Sequence, residues 1–157
     1  MNPFSSSPDA FPRRDFLKFG GAGLMAISVA PITAEATPEQ VMSEVKKIIG
    51  TKEPQSGRVK VVLPEIAENG GTVPLSVSVE SPMTEADHVK AIHIFADGNP
   101  LPDVAQYFFG PQNGKAEVTL RTRLAKSQAI VALAEMSTGD VYMAQSKVKV
   151  TIGGCGG

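Results

Sequence analysis

The chain holds one cysteine, Cys155, set in the run Gly153-Gly154-Cys155-Gly156-Gly157 at the C-terminus. A thiol is a nucleophile and a point of covalent attachment, but a lone cysteine makes neither an internal disulfide nor a multi-cysteine metal site. Four glycines restrict the backbone little and offer no side chain to bury, so the sequence predicts an exposed sulfur on a flexible arm. At full extension the residues after Ile152 carry that sulfur on the order of 10 Å beyond the last strand. No cation or histidine adjoins Cys155 in sequence, and the terminal carboxylate disfavours a thiolate. Such a modest nucleophile suits a carrier activated inside partner enzymes better than an enzyme with its own turnover. Glycines that bury nothing are replaceable, so Val at Gly153 and Gly154 is expected to leave the melting temperature alone.

Other chemistry is thinly represented. His88 and His93 are five apart in an expected strand, so they face opposite sides and do not share a metal. A blue-copper loop needs His and Met after its cysteine, and only two glycines follow Cys155, which leaves Met83, Met136 and Met143 as packing residues. There is no G-x-S-x-G elbow and no base placed to serve a nucleophile, which argues against a small thiol enzyme. Glu65, Glu68, Glu85 and Asp87 sit near turns and read as solvated. No cofactor site and no metal site is expected.

The elements that hold the arm follow from periodicity. Thr37-Pro38-Glu39-Gln40 opens a helix with a capping box; Val41, Val45, Ile48 and Ile49 keep helical spacing and Gly50 ends it. After Gly57 the pattern changes to period two between Gly, Pro and Asn signals. Val59 and Val61 alternate with charged neighbours; Val73, Leu75, Val77 and Val79 follow the Asn69-Gly70-Gly71 turn. Residues 88–95 are apolar on both faces, as a central strand is, and Asp97-Gly98-Asn99-Pro100 ends them. A short aromatic strand over 105–109 and an alternating strand over 116–124 come next. Strands over 129–136 and 141–144 flank the hairpin turn Ser137-Thr138-Gly139-Asp140, and 147–152 forms the last strand. Seven or eight short strands predict an all-β fold, an immunoglobulin-like antiparallel β-sandwich with one short N-terminal helix and a flexible C-terminal glycine arm. A small barrel is the alternative.

The first segment is an address. Arg13-Arg14 followed by Asp15, Phe16, Leu17 and Lys18 resembles the twin-arginine export signal, with Pro12 where that pattern prefers Ser or Thr. The apolar stretch 19–32 is interrupted by Gly20, Gly21, Gly23 and Pro31, too weak for a membrane span. Ala34 and Ala36 then supply the small residues of a cleavage site, giving a mature start at Thr37 in the periplasm. The expected divisions are a signal peptide over 1–36, the helix over 37–50, the domain over 51–152 and the arm over 153–157. With 15 basic and 16 acidic residues spread along 157, no basic run exists to bind nucleic acid. A chain exported folded without a cofactor points to export with a protein partner.

The glycine-flanked terminal cysteine, the twin-arginine signal and the single sandwich domain together resemble the SoxY family, sulfur-carrier subunits of the periplasmic Sox thiosulfate-oxidation system. The resemblance covers the whole chain, and its specific part is the terminal pentapeptide. It implies a heterodimer with SoxZ, an immunoglobulin-like subunit that lacks a signal and is carried out with it. It implies that Cys155 holds the intermediates covalently while Gly153, Gly154, Gly156 and Gly157 let it travel. A c-type cytochrome complex would conjugate thiosulfate to the sulfur, a hydrolase would release sulfate, and a sulfane dehydrogenase is a further partner. The rival reading is an exported immunoglobulin-like binding module cross-linked through its single cysteine. Residues 88–95 with Tyr107, Phe108 and Phe109 are candidates for a partner surface, and burial within the domain explains them equally well.

Overall fold

A computed structural model describes residues 35–153; Arg13, Arg14, Phe16, Leu17, Lys18 and Ala34 at one end, and Gly154, Cys155, Gly156 and Gly157 at the other, lie outside the described residues. Helix α1 (Pro38–Ile49) begins where the sequence predicts. Thr37 is extended, at φ −114° and ψ 161°, and its hydroxyl accepts the Gln40 N–H at 3.3 Å while the Gln40 side chain accepts the Thr37 N–H at 3.0 Å. Two of the first-turn amides that a helix leaves orphaned are therefore satisfied. The helix stops at Gly50, whose φ of 64° suits a residue without Cβ, with its N–H donating to the Lys46 carbonyl.

Among the described residues eight strands follow: β1 (Val59–Val62), β2 (Ile66–Ala67), β3 (Val73–Val79), β4 (Val89–Ala96), β5 (Asp103–Phe108), β6 (Ala116–Thr122), β7 (Gln128–Met136) and β8 (Val141–Val150). They form two sheets, ordered β1-β3-β6 and β2-β8-β7-β4-β5, that pack face to face in an immunoglobulin-like sandwich. The alternation of β3 puts Val73, Leu75, Val77 and Val79 on the inner face. Across the interface they meet Ile92 and Ile94 of β4 and Ile130, Ala132 and Ala134 of β7.

Strand β4 is apolar on both faces because both are covered. Its second face presents Phe95 beside Val131 and Leu133 of β7, and α1 lies over them with Val41, Val45 and Ile49. Each of those three helix side chains is nearly or fully buried, and each such burial stabilises by roughly 1.5–3 kcal/mol. The helix is thus a third layer, which also explains why β7 is buried along almost its whole length. Val89 and residues 91–95 are accordingly buried, while His88 is half-buried and Lys90 exposed; of the three aromatics, Tyr107 and Phe109 pack against the sandwich core and only Phe108 stands exposed, at 73%.

Three details depart from the sequence expectation. The sheets are antiparallel except at β2, two residues long, which pairs parallel to the end of β8 (Ile66 with Lys149, Ala67 with Val150). The expected strands over 141–144 and 147–152 are one strand, β8, paired with β7 without a break from Val141 to Val148. Asp87 is not a free loop carboxylate: both its oxygens accept from Arg58 Nη1, at 3.1 and 3.0 Å, and the guanidinium lies 5.3 Å from the Tyr142 ring centre.

Candidate functional site

The residue types that could do chemistry leave one candidate, the place where β8 gives way to the terminal arm. Hydrogen bonds from two loops, 67–70 and 123–127, close on that root. On one side Thr151 N–H donates to the Ala67 carbonyl at 3.0 Å and its hydroxyl to the Glu68 carbonyl at 2.9 Å. The Ile152 carbonyl accepts from Gly70 N–H at 2.7 Å, and the Gly70 carbonyl in turn accepts from Leu124 N–H at 2.8 Å. Asn69 shapes this loop by accepting Gly71 N–H on its side-chain oxygen at 2.7 Å, a local turn of the kind Asn favours. On the other side the Ser127 hydroxyl accepts from Val150 N–H at 2.9 Å and donates back to the Val150 carbonyl at 3.3 Å.

Gly153 is the last described residue, and its lack of a side chain is a packing requirement. A Cβ built on it would overlap the Ala125 carbonyl oxygen. The expectation that Gly153 is freely replaceable is therefore corrected: this glycine allows two backbones to approach. The Ala125 loop is itself fixed by Asn99. The Asn99 side-chain oxygen accepts from Ala125 N–H and from the Gln128 amide, both at 3.0 Å, and its amide donates to the Arg123 carbonyl at 2.9 Å. Gln128, buried, accepts the Gly98 N–H at 2.9 Å through its own side-chain oxygen. Each side-chain oxygen and nitrogen of Asn99 and Gln128 thus has a partner within one network, which fixes amide orientation as well as position.

The sequence placed Asn99 in a turn and stopped there. Its Asx type was the only available signal, because its partners lie 24 to 29 residues away. Ser127, Gln128 and Ala125 carried no signal at all. Beside the root lies an open cleft of about 490 Å³ whose charged lining is Glu65, Asp97, Lys147 and Lys149. Two carboxylates offset two ammonium groups there, so the cleft has no net pull on an anion.

The histidines do not join this site. His93 is buried on the helix-covered face of β4, with Nε2 2.7 Å from Glu135 Oε1 and its ring stacked on Phe95 at 6.4 Å. His88 Nδ1 lies 3.0 Å from the Thr84 carbonyl. Among the described residues no group of three or more His, Cys, Asp and Glu side chains gathers to hold a metal ion. Among the described residues the one shifted carboxyl group is that of Glu39, in the first turn of α1. The Thr37 hydroxyl, and then its own backbone N–H, hold that carboxylate below its usual range against a small opposing effect of burial.

The family described as "Sulfur oxidation protein SoxY" matches residues 29–155, a span that ends on Cys155. Among solved structures the chain is similar to the sulfur carrier protein SoxY from Chlorobium limicola f thiosulfatophilum. That likeness has a TM-score of 0.62 and 33% identity, over 73% of this chain and 98% of that one. It is also similar to superoxide reductase (neelaredoxin) from Ignicoccus hospitalis, with a TM-score of 0.54 and 20% identity, over 74% of this chain and 95% of that one. This second likeness is one of fold alone, and a shared sandwich does not transfer chemistry. A search of curated proteins finds no match.

Proposed function

The chain belongs to the SoxY family of sulfur oxidation proteins, and from that membership we propose that Cys155 is the group on which it carries sulfur. It is a carrier subunit and not a catalytic enzyme: it brings substrate to others and has no turnover of its own. The observation that supports Cys155 most directly is the root itself. Two loops, 67–70 and 123–127, hold Thr151, Ile152 and Gly153, so a fixed base precedes the chain's one thiol by two residues in sequence.

The carrier cycle balances with the classes of partner already named. The Cys155 thiol and thiosulfate join through a new S–S bond, losing one proton and two electrons, and a c-type cytochrome complex accepts the electrons. The product is a cysteine bearing a sulfane sulfur capped by a sulfonate. A hydrolase then adds water across the outer S–S bond, releasing sulfate and a proton and leaving a persulfide on Cys155. The persulfide's outer sulfur is then either passed on or oxidised by a sulfane dehydrogenase, which adds three waters and hands six electrons to a c-type cytochrome, and the hydrolase cleaves the resulting sulfonate as sulfate with a further water to restore the thiol. A SoxZ-type immunoglobulin-like subunit is the proposed permanent partner. The Arg13-Arg14 signal with Phe16, Leu17 and Lys18 is the proposed route of this pair to the periplasm. Gly154, Gly156 and Gly157 are proposed as the thin part of the arm that enters partner channels.

Intact mass of the protein recovered from thiosulfate turnover tests the reading. The expected spectrum carries sulfur and thiosulfonate adducts that vanish in Cys155→Ser. A wild-type spectrum holding only free thiol and disulfide dimer overturns it in favour of the cross-linked binding module.

A further inference from the structure

The sequence by itself puts the leader cut after Ala36, because Ala34 and Ala36 make the small-x-small pair that a signal peptidase reads. The folded domain has already claimed Ala36. Its side chain is 4% exposed, and its N–H donates to the Asn99 carbonyl at 2.8 Å. The preceding Glu35 carboxylate pairs with the Lys126 ammonium. Lys126 is next to Ala125, whose carbonyl faces Gly153, and Asn99 also holds Ala125 through its side chain. The first described residues and the arm root therefore bear on the same short loop, 123–127.

We propose that the chain is cut after Ala34, so that Glu35 and Ala36 remain in the mature protein as a strap over the loop that seats the arm. This rests on the export reading above. Water hydrolyses the Ala34–Glu35 peptide bond, its oxygen completing the Ala34 carboxylate and the Glu35 nitrogen leaving as an α-ammonium. Twin-arginine export delivers a folded domain, so the peptidase meets residues 35–37 already docked. To cut after Ala36 it must hold Ala36 and Ala34 extended in its own cleft, which first requires stripping Ala36 from Asn99. To cut after Ala34 it reads Ala34 and Ile32, both ahead of the docked pair in sequence. Ile32 is larger than the pattern favours, which is why the sequence alone points to Ala36.

The products differ as well. A start at Thr37 takes the donor from the Asn99 carbonyl, takes the partner from Lys126 and empties a buried site. It also places a positive charge on the N-cap nitrogen, the one now held by the Gln40 side chain, at the positive pole of α1. A start at Glu35 keeps every one of these contacts and sets the new charge two residues away from the helix.

The test uses the full chain with its leader, produced in a bacterium that has twin-arginine export, and reads the intact mass and N-terminal residue of the periplasmic product. A Glu35 start is expected, and any other start overturns the proposal. A Thr37 start removes this proposal alone, whereas an uncut chain that keeps Met1 removes the export reading with it. Deleting Glu35 and Ala36, so that Ala34 joins Thr37, tests the strap. Amide exchange at Ala125 is expected to quicken several-fold in the processed product, and exchange equal to wild type overturns the strap role.

Discussion

Replacing Gly153 by Ala adds one methyl where the backbone of the arm root meets the Ala125 carbonyl. The overlap forces one of two movements. If Ala125 as a whole shifts to withdraw its carbonyl, its own N–H, in the preceding peptide unit, is drawn off the Asn99 side-chain oxygen; if residue 153 backs out, the Ile152 carbonyl leaves Gly70 N–H. Either route gives up one hydrogen bond, a net loss of about 0.5–1.5 kcal/mol. Residual crowding adds about 1 kcal/mol at the mild end of overpacking. Stiffening of the unfolded chain by Gly→Ala returns about 0.4–1 kcal/mol. The balance is a destabilisation of about 1 kcal/mol, which for a domain of this size lowers the melting temperature by about 4 °C. Circular dichroism of protein with Cys155 alkylated, to prevent dimers, measures it, and amide exchange at Ala125 locates it. Gly157→Ala at the chain end is the control expected to melt with wild type. A Gly153→Ala protein with unchanged melting and unchanged exchange at Ala125 would refute the claim that this glycine is packed.

Asn99→Ala strands Ala125 N–H and leaves the Gln128 amide only its bond to the Lys126 carbonyl, and about 1–3 kcal/mol of stability is expected to go with the lost bonds; a loss under about 0.5 kcal/mol in urea unfolding would contradict the hub role. Val45→Ala opens a gap between α1 and the five-stranded sheet at a fully buried position and is expected to cost about 2 kcal/mol, read from the urea midpoint at constant slope. Glu39 has a lowered folded pKa, so its stabilisation is present above the ordinary carboxylate pKa and lost as pH falls through the folded value. The acid limb of melting temperature against pH should therefore be shallower in Glu39→Gln, and an identical limb would show that Glu39 gives the helix cap nothing.

What the sequence made legible was what repeats locally. The capping box of α1, the alternation of β3 and the two-faced run of β4 are each written within a dozen residues, and each appears where expected. Strand β2 escaped because two residues have no period, and its parallel partner is more than eighty residues away. Strand β8 was read as two because polar Gln145 and Ser146 interrupt its apolar pattern; backbone pairing to Val131 and Ile130 carries it through them. The arm root was half legible. Glycine spacing carries only the expectation of an arm, and whether Gly153 is thin for motion or for contact depends on a carbonyl twenty-eight residues earlier, which no local pattern encodes.

Strand β8 also decides how the domain answers to force. A pull on Gly153 along the strand axis loads every β7–β8 hydrogen bond from Glu135 to Gln128 together. Those bonds share the tension in shear and none is the weak first link. A sideways pull would instead open the ladder one rung at a time from Val150, but β2 and the 67–70 loop hold the outer side of the strand at that end. The C-terminus is thus tethered as a rope is to a cleat: tension applied at Gly153 is spread through the sheet rather than taken by one bond.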